Sequence, residues 1–570
     1  MLSLSGRLSR RGALLRLAGG TAGLLAACSS SAPGAPTSAP TTAPTVVSQP
    51  AATTAPAAPA PTTQLGPTAA AAAPTAVTGV AASTRPPKKG GTLKIALNQE
   101  ANTVDPHRSK DIAGTHIKGM LYSQLLKYGR DLQVQPDVAE RYDNPDPTTW
   151  IFHLRQGVKF HDGVDLTADD VVASYQRILD PSIGSPVYVF IKGISSVTAL
   201  DPSTVQFKLS APQATFLPAI ALAGQYIAQK AKIQANVDFE TDMVGTGPFK
   251  FVSRTPGVET KVERNPDYFV QGLPYLDGIT YTPIFDDSAR MNALKSGDAD
   301  LATYVTWAAM SEFDQYPQLA LQSQKAGGYV QLDLKVDQPP LDNVKVRQAI
   351  SYAIDRDALI KTATSGRGEP CYGGPIPSWM WAYDADIENM YRYNPDKARQ
   401  LLQEAGAQGA TIEFTTWPTD TELFGRPSVV VANYLKQVGL NAVLKPVSNA
   451  EWAQARAQGT YQALVNGNLY AIPDPDFVGT LWEKGSTITA ATHFSDPQID
   501  SWLQQARTVG DQAQRKALYD QVQARAMDEI PTVILFYREQ GDGTQKDVQG
   551  YQFLASPGAF NTLPETWLDR

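Results

Sequence analysis

Residues 29 to 90 are built almost wholly from Ala, Pro, Thr, Ser and Gly, as in "SAPTTAPTVVSQPAATTAPAAPAPTT". Such a segment has too little apolar surface to offset the conformational entropy it would lose by folding. Its prolines favour extended polyproline II, at about 3.1 Å per residue, so the expectation is a stalk. Whatever folds must come from the roughly 480 residues that follow, 91 to 570. That exceeds the size at which a single core stops growing, so two or more lobes are expected.

Ahead of the stalk, residues 9 to 28 read "SRRGALLRLAGGTAGLLAAC". A basic start (Arg7, Arg10, Arg11, Arg16) precedes an apolar run of Ala, Gly and Leu, the layout of an export signal peptide. The run from Leu17 to Ala27 is too short for the roughly 30 Å hydrocarbon core, which argues against a permanent spanning helix. Arg10-Arg11 with Leu14 and Leu15 resembles the twin-arginine signal, although Ala13 stands where a large apolar residue is expected. Leu25-Ala26-Ala27-Cys28 resembles the bacterial lipobox, whose cysteine is acylated. The expectation is an extracytoplasmic protein, with 1–28 as export signal and a lipid on Cys28 anchoring it to the cell membrane. An ordinary secretory signal or an N-terminal membrane anchor is the alternative.

A net charge of −7 argues against a nucleic-acid partner. With Cys28 assigned to lipid, Cys371 has no intramolecular partner and reads as a small buried apolar residue. The histidines (His107, His116, His153, His161, His493) show no ligand spacing beyond the pair His153 and His161, so no metal or cofactor is expected. H-E-x-x-H, G-x-S-x-G and P-loop patterns are absent. Gly245-Thr246-Gly247 runs into Pro248, which lacks the N–H that a phosphate cradle needs. "KFHDGVDLTADDVV", residues 159 to 172, sets His161 among Asp162, Asp165, Asp169 and Asp170, a grouping that invites acid–base or metal chemistry. However, Asp169 and Asp170 fall in a helix's first turn, where negative charge suits the macrodipole. Asp162-Gly163 is turn chemistry, and alternation points His161 away from the face of Phe160. The cluster reads as scaffold.

Elements of both periods alternate along the body. "GTLKIAL" places Leu93, Ile95 and Leu97 on one face of a strand. "TWIFHLRQGVKFHDG" alternates Trp150, Phe152 and Leu154, then Val158 and Phe160 after a Gln-Gly turn, and predicts a hairpin. Thr167 with Asp170 predicts a capped helix striped by Val171, Val172, Tyr175, Ile178 and Leu179. In "NPDKARQLLQEAG", Asn394 caps a helix, Pro395 opens it and Gly406 ends it. Val346, Ala349, Ile350, Ala353 and Ile354 share one face of another helix.

Several segments recur in one order. They are "VDPHRS", "WIFHLRQGVKFHDGVDLTADDVVASYQRI", "VGTGPFKF", "NPDYF", "DDSARMNALKSGDADL", "PLDNVKVRQAISYAIDRDALI", "YNPDKARQLLQEAG" and "IPTVILFYREQ". Together they resemble the family 5 extracytoplasmic solute-binding proteins of ABC transporters, a group that includes dipeptide, oligopeptide, nickel and glutathione binders. The resemblance spans 91–570. It implies an α/β, two-lobed periplasmic-binding-protein fold (type II, cluster C) with an extra subdomain inserted in the first lobe. The expected first lobe comprises 91–135, 248–326 and 538–570, the insertion 136–247, and the second lobe 327–537. The chain would cross the hinge near Gln324 to Gly328 and return near Leu535 to Glu539. The implied function is capture of a peptide-like or oligosaccharide solute and delivery to ABC importer permease subunits, by a monomer that is not an enzyme. A tethered sensor or chaperone of the same fold is the alternative, and a secreted hydrolase a weaker one.

The resemblance also implies a site. "NGNLYAIPDPDFVGTLW" matches the family's cleft strand, so Asn466, Gly467, Asn468, Leu469 and Tyr470 are ligand-binding candidates, the backbone pairing with an extended solute. Peptide binders hold the free α-amine with an aspartate just before the loop; Ala471 stands there, and Asp474 and Asp476 come too late. That departure favours a neutral or amine-blocked solute. Trp417, Tyr372, Trp379 and Trp381 lie in cleft-facing family segments, where aromatic faces stack on sugars or apolar side chains. Glu100 completes the candidates as a substitute acid.

Overall fold

The computed structural model describes residues 85–108, 111–470, 472–555 and 562–570. The export signal, Cys28, the stalk up to residue 84 and Ala471 lie outside the described residues. Residues 85–90, at the end of the expected stalk, lie against the body. Arg85 and Lys88 pair with Asp569, and the amide of Gly90 donates to the carbonyl of Tyr275.

One sheet organises the chain. Its strands run in the order Asn441–Pro446, Thr411–Thr416, Ala463–Leu469, Leu319–Leu334, Thr532–Gln545, Leu301–Ala302, Thr92–Leu97, Gly278–Pro283, Glu259–Arg264 and Phe249–Thr255. Glu369–Pro370 adds a short strand beside Thr532–Gln545. The two long central strands, of 16 and 14 residues, pair antiparallel over most of their length. Their register breaks between Gln324 and Gly328, opposite Gln540 and Arg538. Ala326 sits there with φ 49°, in the left-handed region that L-residues rarely enter.

Parallel pairing at both ends (Thr92–Leu97 with Gly278–Pro283, Thr411–Thr416 with Asn441–Pro446) calls for crossover connections. The helix Gly425–Gln437 supplies one of them. One apolar core gathers Leu93, Ile95, Leu97, Ile279, Tyr281 and Phe553 around the first end of the sheet, here called the first lobe. The larger core surrounds the other end, the second lobe, and continues into a separate sheet of Ala139–Asp146, Thr149–Leu154, Thr204–Leu209 and Ile194–Asp201. Half-buried Trp379 packs against both cores. Among the described residues no helix is long and apolar enough to cross a membrane.

The punctuated helices form as their sequences imply. Ala168–Leu179 opens on a capping box of Thr167 and Asp170, and Pro395–Glu404 on Asn394, whose side chain accepts the amide of Lys397. Gly406 follows the second with φ 64°. The expected hairpin after Leu154 does not form. Strand Thr149–Leu154 pairs instead with Ala139–Asp146 and Thr204–Leu209. Val158 and Phe160 are buried in a folded-back turn closed by Leu166 N to Val158 O and Phe160 N to Val164 O. A hairpin with the preceding strand on one edge and long-range pairing with Thr204–Leu209 on the other outcompete the local turn.

His161 belongs to the same local framework. Its amide donates to Gly245 O, its Nε2 lies 3.1 Å from Gly247 O, and its Nδ1 accepts the amide of Gly245. Burial holds its pKa down at about 4. Gly245 and Gly247 permit the close approach: a Cβ at either would lie 2.0 or 2.4 Å from the carbonyl oxygen of Leu121 or Met120.

Candidate functional site

Strand Ala463–Leu469 is paired along one edge only for much of its length. Leu334 to Gly328 accompany it from Ala463 to Leu469, but Thr411–Thr416 reaches only Leu464 on the other side. From Val465 onward that edge has no strand neighbour. Trp452 Nε1 donates to Val465 O at 3.3 Å, and Trp417, Phe424 and Trp452 form an aromatic cluster. Phe424 is close enough to Gly467 that a Cβ there would lie 2.9 Å from its ring.

Strand alternation divides the candidates between two faces. Asn466, Asn468 and their pairing partners Gln331 and Tyr329 share one face with Asp333. This face is a polar layer inside the second lobe. Asn466 Nδ2 donates to Asp333 at 3.0 Å, Gln331 Nε2 donates to the other oxygen, and Arg456 approaches Asn468. Burial pushes the Asp333 carboxyl up to about 6, against the opposing effects of Asn466, Gln331 and Arg456. Gly467 and Leu469 share the other face with Gly328, Val330, Phe536 and Arg538. There Trp307 meets the Phe536 ring at 6.0 Å and donates its indole N–H to Glu539 O at 2.7 Å.

The remaining candidates are spread more widely. Tyr470 is buried among Tyr329, Trp379 and Phe477, and its hydroxyl has no hydrogen-bond partner. Trp379 donates from Nε1 to Ala326 O at the register break, which puts it beside the crossing strands. Trp417 is half-buried, with an unpartnered indole N–H. Trp381 lies elsewhere, edge-on to Tyr519 and beneath Arg515, whose guanidinium pairs with buried Asp474. Tyr372 donates to Asp357 at 2.6 Å and stacks under Arg356 and Arg392. Glu100 is engaged in the first lobe by Arg254 and the amide of Gly257.

A cavity of about 300 Å³ opens in the second lobe beside Tyr372, lined among others by Glu369, Cys371, Tyr383, Asp384 and Tyr537. Cys371 is buried there and burial raises its thiol pKa, so it is not activated as a nucleophile. Among the described residues no group of three or more His, Cys, Asp or Glu has a metal-holding arrangement.

Glu422 accepts the amides of Trp307 and Ala308 at 2.8 and 3.0 Å. Arg367 donates to Met310 O at 3.1 Å, and the amide of Ala214 donates to Arg507 O at 2.6 Å. Sequence reasoning did not single out Glu422, Arg538, Tyr304 or Phe424. Only "FYREQ" carried a signal, since Arg538 and Glu539 follow the apolar run "VILFY".

The family signature "Bacterial extracellular solute-binding proteins, family 5 Middle" matches residues 133–489. The glutathione-binding protein GsiB of Pectobacterium atrosepticum is 29% identical over 476 residues, covering 81% of this chain and 91% of its own. GsiB of Escherichia coli (strain K12) is 27% identical over 478 residues, covering 81% and 92%. Among solved structures, the binding protein AgaA of A. tumefaciens R10 in complex with agropinic acid superposes with a TM-score of 0.74 at 31% identity, covering 84% of this chain and 99% of that one. The Helicobacter pylori periplasmic binding protein DppA, in complex with the peptide STSA, gives 0.74 at 26% identity, covering 85% and 99%.

Proposed function

From the premise that this chain belongs to the bacterial extracellular solute-binding proteins of family 5, we propose that its solute lies along the open edge of Ala463–Leu469, between the two lobes. The protein is an extracytoplasmic solute-binding protein of the ABC-transporter type, with a two-lobed α/β fold, and a binding protein rather than an enzyme. The observation that carries the placement is the strand edge from Val465 to Leu469, which has no strand neighbour; Trp452 takes Val465 O and the Asn466 side chain takes the Gly467 amide, so the backbone groups left for an extended solute lie toward Leu469. Gly467 and Leu469 turn to the interlobe face, with Trp417 and Phe424 as an aromatic wall and Trp379 at the crossing. Asn466 and Asn468 act from behind, through the polar layer that fixes the strand.

In this reading the solute is peptide-like or an oligosaccharide. The relatives named for glutathione and the structures holding a peptide or agropinic acid support a small polar solute. With Ala471 at the position of the amine-holding aspartate, free dipeptides bind weakly and amine-blocked ones better, because a desolvated ammonium without a counter-charge costs several kcal/mol. The lobe boundaries are those drawn from the sequence, with the hinge at the register break; Cys28 carries the lipid and the protein acts as a monomer.

Native mass spectrometry of the purified chain identifies the carried-over solute, and calorimetry with dipeptides, amine-blocked peptides and oligosaccharides ranks the classes. Submicromolar binding of free dipeptides would overturn the solute preference. Cys28→Ser should move the body from the membrane to the soluble fraction, because the diacyl anchor supplies most of the attachment; unchanged fractionation would remove the lipid anchor from this account.

A further inference from the structure

Arg538 lies in strand Thr532–Gln545, directly opposite Gly328 where the register of the two crossing strands breaks. Its side chain is 5% exposed. Among the described residues its partners are neutral. One terminal nitrogen donates to Gln540 at 3.0 Å, the Tyr304 hydroxyl is its other polar neighbour, and Nε has no acceptor. No carboxylate forms an ion pair with it. Glu539 belongs to the opposite face and is held by Ser323 and Arg367. Asp542 lies four residues along the strand, about 13 Å away at strand spacing, and accepts the amide of Tyr304 and the hydroxyl of Tyr551. Residues 1–84, 109–110, 471 and 556–561 contain neither Asp nor Glu, so no acidic side chain elsewhere in the chain remains to serve.

A guanidinium withdrawn from water without a counter-charge is among the costliest groups a protein can bury. Here it sits at the junction of the lobes, on the face that carries Gly467 and Leu469. Gly328, between Leu469 and Arg538 on that face, lets the two strands approach closely beside the guanidinium: a Cβ there would lie 2.4 Å from Asn468 O. The neighbouring Tyr304 is held with φ 54°, a strained conformation for a bulky residue and one that collects at ligand sites.

We infer that Arg538 is the seat of a carboxylate on the captured solute, received by its planar fork as the lobes close. The inference rests on the interlobe reading above and narrows it to acid-bearing solutes, peptides with a free carboxyl terminus or acidic sugars among them. Guanidinium and carboxylate match in charge and in planar geometry, so a solute esterified at that carboxyl loses both complements.

The test uses the full chain with succinate as probe, at constant ionic strength against sodium chloride, and dimethyl succinate as the uncharged control. Thermal unfolding of the wild type should show a saturable rise of a few degrees with succinate and none with the ester. Arg538→Gln should lose the response, and Arg538→Lys, which keeps the charge without the fork, should keep a reduced one. A flat wild-type response, or an equal response in Arg538→Gln, would overturn the inference. If Arg538→Gln fails to fold, the wild-type comparison of succinate with its ester still decides. A positive succinate result beside an absence of any bound or carried-over solute would leave the anion seat standing and remove the interlobe capture reading instead.

Discussion

Asp333 fixes strand Ala463–Leu469 from the face away from the proposed solute path. Its carboxyl anchors Asn466 from beneath strand Ala463–Leu469, at a cost set by burial. With a native pKa of about 6 against an ordinary 3.8, the native state keeps a proton that the unfolded chain releases between about pH 4 and 6. The native state therefore binds more protons in that window, and this group's contribution to stability falls as pH rises through it. Asp333→Asn removes the ionisation and keeps the geometry: its oxygen accepts from Asn466, and its amide can donate to Gln331 once that side chain flips, since Gln331 Oε1 is unpartnered. The stability of the variant relative to wild type should climb by about 3 kcal/mol between pH 4 and 7, from roughly two pKa units. Urea unfolding across that range checks it, and a pH-independent difference would count against the assignment. The strand's candidates were legible in sequence as a block, but not their division between faces. That division depends on the register with Leu319–Leu334, which no local pattern around Asn466 to Leu469 encodes.

At the scale of elements, local chemistry was readable wherever it acts within a few residues. Thr167 with Asp170 and Asn394 with Pro395 mark their helices because a cap and its partner are sequence neighbours. The segment after Leu154 misled, because its alternation reflects burial of Val158 and Phe160 in a turn, while the partners of Thr149–Leu154 are the strand before it and the distant Thr204–Leu209. His161 belongs to this framework, pinning that turn to Gly245 and Gly247. His161→Ala should lower stability and leave solute affinity within about threefold, under 1 kcal/mol; a tenfold loss with the fold intact would bring it into the site. Glu422 has the opposite profile. Both its oxygens meet the start of helix Trp307–Met310 across the proposed lobe boundary. Glu422→Gln halves its acceptors and removes the charge, so closure should weaken by about 1 kcal/mol and solute affinity by roughly fivefold, with the melting of each lobe's core little changed. Calorimetry of binding beside thermal unfolding separates these effects, and unchanged affinity would deny Glu422 any part in closure.

Two apolar cores flank one sheet, and its two long central strands are Leu319–Leu334 and Thr532–Gln545. Ladder pairing resists sliding, and it breaks between Gln324 and Gly328 and again between Val330 and Gln331; the first of these breaks is the proposed hinge. A solute that touches both lobes favours closure by its differential affinity for the closed form. With the lobe boundaries proposed above, the amides of Trp307, Ala308 and Ala214 face acceptors, Glu422 and Arg507 O, across the division, so they report on closure. When the lobes part, these three amides lose their partners together, while amides inside either core do not. Adding the solute recovered by mass spectrometry should therefore slow hydrogen exchange at all three in concert, leave the cores as they were, and shrink the radius of gyration in scattering. The tryptophan fluorescence should change as well, since Trp417 and Trp379 flank the proposed solute path. Protection confined to one lobe, or exchange at these amides indifferent to solute, would mean that the lobes do not close on it.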